Sequence, residues 1–577
     1  MAQRKKPGFI FCLVLSSLTL ARADIDVLKR HQGELSQTHS KLQQLIDRQQ
    51  LDGVSIGVVN QDGLIWFDSA GYANRKKNIK ASENTMYRVG SLSKLLTATA
   101  ILQLEDEGII DIDQAASAYI PRFYYKTRFS NSGVITPRTL LTHLSGLPSN
   151  LNKGHWTEER FSDLIERLRI EYTAYPVDFI SNYSNIGYSL LGIILEENTD
   201  YLYEEYIQKH LFDPLDMVQS NFNPYGSADE LAAVGYKKHQ PQHNLPLRDI
   251  PAMGLNSSIV ELSHFVQAIL NHGRYKDQQI LPADSIEAMF RVQNSDIELD
   301  FDNQIGIPWQ LSRSSDKQTL LAEHSGTTIN FSSHIILAPE KQIGVIILSN
   351  TSQANRKIRN IASLLLSHLI DSHQLTGNSQ TAAKTTPVST PPDSGTDKQR
   401  YIAKSGIIEI DKSANKLCQC QSQKILNLVP LPNGWFGLSP DNRRISSKIS
   451  EQEIDGKEVI VLEKNGQKHR VGARLRVPDN RFNWEHYFGD YEIINPDENF
   501  PVTDVRVFDE ENMTYICYRM PQLSDKLVVL PITPVSETEA ITEGLGRSKG
   551  ETIYSRQING EDLLIYSGYI ARKKKPQ

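Results

Sequence analysis

Cysteine is scarce in this chain, with four in 577 residues, too few for a fold stapled by disulfides. Cys12 lies in an N-terminal apolar segment, and Cys418, Cys420 and Cys517 all fall in the C-terminal third. Residues two apart on a strand share a face, so Cys418 and Cys420 are badly placed to bond each other. Pairing either of them with Cys517 leaves one thiol free. No histidine or carboxylate cluster accompanies them, so they read as structural; neither a metal nor a cofactor is called for. Long apolar runs are missing beyond the first 20 residues, which excludes a bundle of membrane spans. Excess charge is missing as well. The 62 basic and 68 acidic side chains balance to −6, which argues against a nucleic-acid partner.

The first residues have the shape of a secretory signal. Arg4, Lys5 and Lys6 precede an apolar run from Phe9 to Leu20, and Ala21-Arg22-Ala23 places small residues at the two positions a signal peptidase reads. The expectation is removal of residues 1–23 and a periplasmic or secreted protein, with no stable membrane span afterwards; tethering by an uncleaved N-terminal segment is the alternative. Leu28, Leu35, Leu42 and Leu45 then recur at helical spacing. Val54 to Val59 and Leu64 to Phe67 flank Asn60-Gln61-Asp62-Gly63, a hairpin signal. Helical and loop-rich sequence follows to about residue 300. Strands return at Ser332–Leu337 and Ile343–Leu348, with a helix from about Gln353 to Ser372. That order suits an α+β domain over 24–374, in which one antiparallel sheet is assembled from both ends of the segment and a helical region packs beside it.

Residues 375–399 are rich in Thr, Ser and Pro with almost nothing apolar, the composition of a linker. Beyond it, short apolar runs at 406–410, 458–462 and 526–530 alternate with turn signals such as Asp455-Gly456, Asn465-Gly466 and Asn559-Gly560. They predict two all-β modules, over 400–480 and 481–577.

Chemistry concentrates in three short elements. Ser91-Leu92-Ser93-Lys94 opens an apolar segment that runs helically to Gly108. On a helix, the hydroxyl and the amine lie one turn apart on one face. A serine hydroxyl needs such a neighbouring base or positive field to become a nucleophile, and the helix N-terminus adds partial positive charge. The spacing alone is weak, since Ser314 with Lys317 and Ser413 with Lys416 repeat it without a following helix. The second element, Tyr183-Ser184-Asn185, also leads into an apolar helix; the third, His324-Ser325-Gly326-Thr327, precedes the paired strands.

In type, order and separation these elements resemble the S-x-x-K, Y-x-N and K-T-G (or H-T-G) motifs of the serine β-lactamase and penicillin-binding-protein superfamily, especially its class C-like branch. Thr142-His143-Leu144-Ser145-Gly146-Leu147, Pro214-Leu215-Asp216-Met217 and the 251–258 stretch agree, and the resemblance covers roughly residues 40–370. It implies a β-lactamase-like (transpeptidase-like) fold for the first domain; a lipocalin-like barrel is the form considered for the last module. It also implies a serine hydrolase that cleaves an amide or ester through an acyl-enzyme on Ser91. Lys94 would move or stabilise the Ser91 proton. Tyr183 would act as base and then as acid, provided positive charge favours its phenolate. Asn185 would orient substrate and Lys94, and the backbone N–H groups of Ser91 and Thr327 would form an oxyanion hole, with Gly326 admitting the substrate. His143 belongs to a flank read as structural, and Trp309 as core.

His324 stands where class C β-lactamases carry lysine, and a histidine is only partly charged at neutral pH. The histidine favours a peptidase or amidase acting on D-residues, or an esterase, over a true β-lactamase. A non-catalytic sensor of penicillin or peptidoglycan fragments is the alternative of another class. Partners are accordingly small-molecule or peptide substrates.

Overall fold

The computed structural model describes residues 29–370 and 398–575, apart from 228–229, 316, 405, 421–422, 440–444, 446 and 477–481. The signal segment, Leu28 and the linker therefore lie outside the described residues.

The helical leucine pattern forms α1 (Gln32–Asp47), whose buried face carries Leu35, Leu42 and Leu45. The chain then reverses at Gln61-Asp62, where β1 (Gly53–Asn60) pairs antiparallel with β2 (Gly63–Asn74). Short β3 (Ile79–Lys80) ends this edge of the sheet. The rest comes from far along the chain: β4 (Gln304–Ile305), β5 (Gln310–Arg313), β6 (Leu320–Thr327), β7 (Ser332–Ala338) and β8 (Ile343–Ser349). Their order, β4-β5-β6-β7-β8-β1-β2-β3, joins both ends of the domain through the β8–β1 pairing. Both β7 and β8 are buried along their whole length. One face packs on α1 and on a helix at Asn355–Ile370, through Val54, Ile56, Val345, Ile358 and Leu365 among others. The other face supports the helical region.

At the centre of that region lies α2 (Ser93–Asp106), buried on every side from Ser93 to Leu102. A helix without a polar stripe belongs inside a core. Truncating one of its leucines, Leu95 or Leu96, costs about 2–5 kcal/mol.

The C-terminal third forms two closed eight-stranded barrels, each an antiparallel meander. The first runs from Lys398–Ala403 to Gln467–Arg474 and closes through Tyr401 opposite Arg474. The second runs from Gly489–Ile493 to Tyr569–Lys573 and closes through Tyr491 opposite Lys573. Closure leaves no unpaired sheet edge. The Asn465-Gly466 turn holds both residues at positive φ, 55° and 75°, as a two-residue hairpin of this twist requires. Cys418, Cys420 and Cys517 are all free thiols, so neither possible pairing with Cys517 is made.

Both barrels seat on the first domain. Val459 and Val461 of the first barrel share a core with Ala174, Tyr175, Ile180 and Leu299. The second barrel docks by polar contacts: Arg128 donates to Thr552 Oγ1 at 2.7 Å, and the backbone N–H groups of Lys153 and Gly154 donate to Ser567 O and Asp497 Oδ2 at 3.1 Å each.

Buried within this second contact are two glutamates. Glu551 accepts from the Ser149 backbone N–H at 3.3 Å and from the Tyr566 hydroxyl at 3.0 Å. Burial pushes the Glu551 carboxyl up to about 7, and burial together with the nearby Glu551 charge does the same for Glu171. Both sit near 4.5 in an unfolded chain. The folded state therefore holds extra protons between those values, and its stability declines as pH rises through about 7. The Tm of the full-length chain should fall between pH 5 and pH 8, and Glu551→Gln should reduce that fall. An equal fall in both proteins, measured by calorimetry, would show that the docking contact does not carry the titration.

Candidate active site

Ser91 does not open the α-helix; it sits in a 3-10 turn, Gly90–Leu92, immediately before α2. The turn begins at Gly90 with φ of 57°, where a Cβ would lie 2.8 Å from the Thr327 backbone nitrogen. Only glycine meets both conditions. Ser93 then locks the turn, donating to Gly90 O at 2.6 Å and accepting from the Leu255 N–H at 2.9 Å.

Lys94 follows on the first turn of α2 and has no solvent exposure. Its Nζ lies 2.7 Å from Asn185 Oδ1, 2.8 Å from Ala252 O and 3.4 Å from Ser91 Oγ. Burial, aided by the Arg547 guanidinium, holds its pKa well below the ordinary lysine value; Asp249 opposes this less strongly. As a neutral amine, Lys94 places its two N–H bonds on Asn185 and Ala252 and its lone pair toward the Ser91 hydroxyl; as an ammonium it donates to all three oxygens.

Asn185 is the first residue of α3 (Asn185–Asn198), whose cap is Ser184, accepting from the Gly187 N–H at 3.1 Å. Capping thus fixes the backbone on which Asn185 stands, while Asn185 Nδ2 donates to Asn150 Oδ1 at 2.8 Å. Just before the cap, Tyr183 presents its ring 4.7 Å from Lys94 Nζ and its hydroxyl toward Ser91. The phenolate expected from the sequence is not favoured here. Burial pushes Tyr183 up to about 12, outweighing the pull of Arg547 and the Ser91 hydroxyl, so the side chain is a neutral phenol. His143, read from sequence as purely structural, holds this tyrosine: the rings are 4.2 Å apart, and His143 Nδ1 accepts from the Ser184 N–H at 3.2 Å.

The third element is the end of β6. On the β6 side, strand β5 reaches only Leu320–Glu323, leaving His324–Thr327 without a β5 partner along the edge that approaches Gly90 and Ser91. Gly326 is obligatory there, since a Cβ would lie 1.9 Å from Val89 O. Asn355 braces the same strand, donating to Gly326 O at 2.7 Å and bonding Thr327 Oγ1 at 2.8 Å. His324 is buried, and burial with the nearby Lys94 pushes it down to about 3, so it is neutral.

Ser91, His143, Tyr183, His324 and Thr327 line one cavity of about 940 Å³, to whose wall both barrels contribute. Trp309, fully buried, also lies against it. Gln467–Gly472 of the first barrel and Leu545–Lys549 of the second complete its wall. The sequence gives no local signal for either segment; barrel closure and docking bring them there. Among the described residues no group of three His, Cys, Asp or Glu side chains is placed to hold a metal.

Comparison with known proteins agrees with this architecture. Protein flp of Staphylococcus aureus (strain MW2) is 27% identical over 310 residues, 52% of this chain and 60% of that protein. PbpX of Bacillus subtilis (strain 168) is 30% identical over 239 residues, 40% of this chain and 57% of that protein. The chain thus spans less than two thirds of the length of these relatives. Among solved structures, an octameric penicillin-binding protein homologue from Pyrococcus abyssi shares the fold over 93% of this chain and all of its own, with a TM-score of 0.51 and 17% identity. A class C beta-lactamase mutant covers 58% of this chain and 97% of its own, with a TM-score of 0.50 and 22% identity. The Beta-lactamase family model matches residues 39–368, the segment that carries all three motif elements, and the chain belongs to that family, within the serine β-lactamase and penicillin-binding-protein superfamily.

Proposed function

We propose that this protein hydrolyses an amide or ester bond through an acyl-enzyme on Ser91. The observation that carries the reading is the Lys94 amine, fully buried and bonded to two neutral oxygens, with its remaining direction on the Ser91 hydroxyl. Lys94 takes the Ser91 proton as Oγ attacks the substrate carbonyl. The neutral Tyr183 phenol donates a proton to the leaving group and recovers one from Lys94, which returns the amine to its neutral form. The N–H groups of Ser91 and Thr327, which the Gly90 approach brings side by side, receive the developing oxyanion. Water then repeats the sequence on the acyl-enzyme.

A neutral His324 supports a peptidase, amidase or esterase rather than a β-lactamase as the main task. The cavity volume, near the upper end of small-molecule sites, supports a substrate of peptide size. The intact Ser91–Lys94–Tyr183–Asn185 set supports turnover over non-covalent sensing. We further place the protein in the bacterial envelope, a reading that rests on the signal-like residues 1–23 alone.

A fluorescent penicillin or fluorophosphonate should label the full-length protein, and Ser91→Ala should abolish the label; equal labelling of the two proteins would remove Ser91 as nucleophile. p-Nitrophenyl esters, D-alanyl p-nitroanilides and nitrocefin then separate esterase, aminopeptidase and β-lactamase.

The state of the bases sets the pH dependence. Lys94 must be unprotonated to accept the Ser91 proton, so kcat/KM rises with pH through an acid limb well below the ordinary lysine range. Lys94→Ala should cost about 10²–10⁴-fold in rate. His324→Gln should leave the acid limb where it is, because a histidine pushed down to about 3 changes no charge between pH 5 and pH 8. A limb displaced by this substitution would assign the titration to His324.

A further inference from the structure

Among the groups that face Lys94 and Tyr183, one brings a charge that no near neighbour cancels. His143 stacks on Tyr183, and Tyr188 of α3 has its ring 5.2 Å from Lys94 Nζ. His324 approaches from β6. Burial keeps all three neutral. Asp249 lies beneath, but its carboxylate is held by Arg248 at 2.7 and 3.1 Å. Arg547, from the second barrel, makes no salt bridge among the described residues. Its guanidinium carbon lies 4.9 Å from the centre of the Tyr183 ring, and Lys94 Nζ lies 4.7 Å from the same centre. The two groups are within about 10 Å of each other, a range over which salt screens a charge only in part.

The loop that carries Arg547 is fixed without help from the arginine. The Gly546 N–H donates to the Tyr175 hydroxyl at 3.0 Å, and the Ser548 N–H donates to Ser149 Oγ at 2.9 Å. The carbonyl of the same Ser149 accepts from the Asn185 N–H at 2.9 Å. One residue thus ties the Arg547 loop to the head of α3, where Asn185 holds Lys94 and Tyr183 precedes the cap. Across the domain contact, the cation is registered to the two groups beside it.

We propose that Arg547 serves the reaction electrostatically, acting through Tyr183 and Lys94 rather than by touching substrate. Within the acyl-enzyme reading on which this rests, a residue of another domain joins the machinery. Before attack, the guanidinium disfavours a second positive charge at Lys94 and keeps the amine free to take the Ser91 proton. As the tetrahedral intermediate collapses, the Tyr183 O–H bond breaks and the leaving group gains that proton. Arg547 stabilises the phenolate so formed until the Lys94 ammonium returns a proton to it. A neutral His324 supplies no such charge from β6; the second barrel does.

Leaving-group dependence and pH separate this role from a structural one. Phenol release from 4-nitrophenyl acetate and from phenyl acetate is followed between pH 5 and pH 9 with full-length protein, Ser91→Ala serving as background. A 4-nitrophenolate departs unaided, whereas the more basic phenolate gains from a proton donor. Arg547→Ala should move the acid limb of kcat/KM up by about one pH unit, because Lys94 then holds its proton more tightly. On the plateau above that limb, it should cost about 10-fold or more with phenyl acetate and less than about 3-fold with 4-nitrophenyl acetate. Arg547→Lys should restore part of both effects. Lys404→Ala, which removes an equal charge elsewhere in the lining, should produce neither. In a Tyr183→Phe background, adding Arg547→Ala should widen the gap between the esters no further. An unmoved limb, or equal losses with the two esters, would overturn the proposal, as would matching effects from Lys404→Ala. Absence of Ser91-dependent release from both esters has a different meaning: it would overturn the acyl-enzyme reading itself, and the role of Arg547 with it.

Discussion

A lysine amine entirely removed from water is the constraint around which the first domain is organised. Burying an ammonium costs several kcal/mol unless charge or hydrogen bonds offset it. Here the partners are the amide oxygen of Asn185 and the carbonyl oxygen of Ala252. They satisfy an amine better than a cation, and the site accommodates Lys94 by favouring its neutral form. The two acceptors come from different helices, Asn185 from α3 and Ala252 from the short Ile250–Met253 helix. The latter is held from beneath by a buried charged group: Asp249 bonds Arg248 Nε and His155 Nδ1 at 2.7 Å each, and Arg248 donates in turn to Leu151 O and Lys153 O. That same 151–155 segment docks the second barrel through Lys153 and Gly154. A run of bonded groups thus extends from the carbonyl that accepts from Lys94 to the segment on which the second barrel docks.

A second constraint is steric. The turn holding Ser91 and the end of β6 approach so closely that neither Gly90 nor Gly326 has room for a side chain. This contact brings the Ser91 and Thr327 backbones together although 236 residues separate them in sequence. It depends on β5 ending its pairing at Glu323 and on Asn355 tying β6 to the final helix. The sheet therefore supplies the Thr327 backbone to the site and the helical region supplies Lys94. Ser91 stands at their junction.

Features governed by local periodicity were legible in the sequence. The hairpin at Gln61-Asp62, the buried helix after Ser91, the paired strands before Asn355 and several barrel turns all follow from apolar spacing and turn residues within a few positions. The three motif elements were legible because order and flanks compensate for weak individual tripeptides. Their electrostatic state was not. Whether Tyr183 is phenol or phenolate depends on burial and on Arg547, a residue 364 positions later. His324 reads as a group titrating near neutrality until its burial is known. Likewise, Ala252 contributes only a backbone carbonyl to Lys94, so the identity of its side chain carries no signal. His143 is the intermediate case: its motif context was visible, but its contact with Tyr183 arises from a loop geometry that no spacing rule describes.

The barrels supply walls of the cavity, which is among the readings open to modules without a catalytic cluster of their own: lids, substrate-restricting walls or interaction surfaces. Each is a closed sheet with a core of its own, formed around Tyr401 and Ile460 in the first and around Val507 and Ile532 in the second. Neither depends on the first domain for those cores, yet each contributes a segment to the cavity wall. The first barrel's segment lies on the strand Gln467–Arg474 and the second's in a loop between strands, so neither carries the buried lysine or the glycine contact. The charge lining the cavity reflects that separation, since Lys404, Arg470, Arg547 and Lys549 all come from the barrels. Ser91 and Lys94 lie on elements held by core packing, whereas the barrel charges reach the cavity from a turn, a strand and a pinned loop.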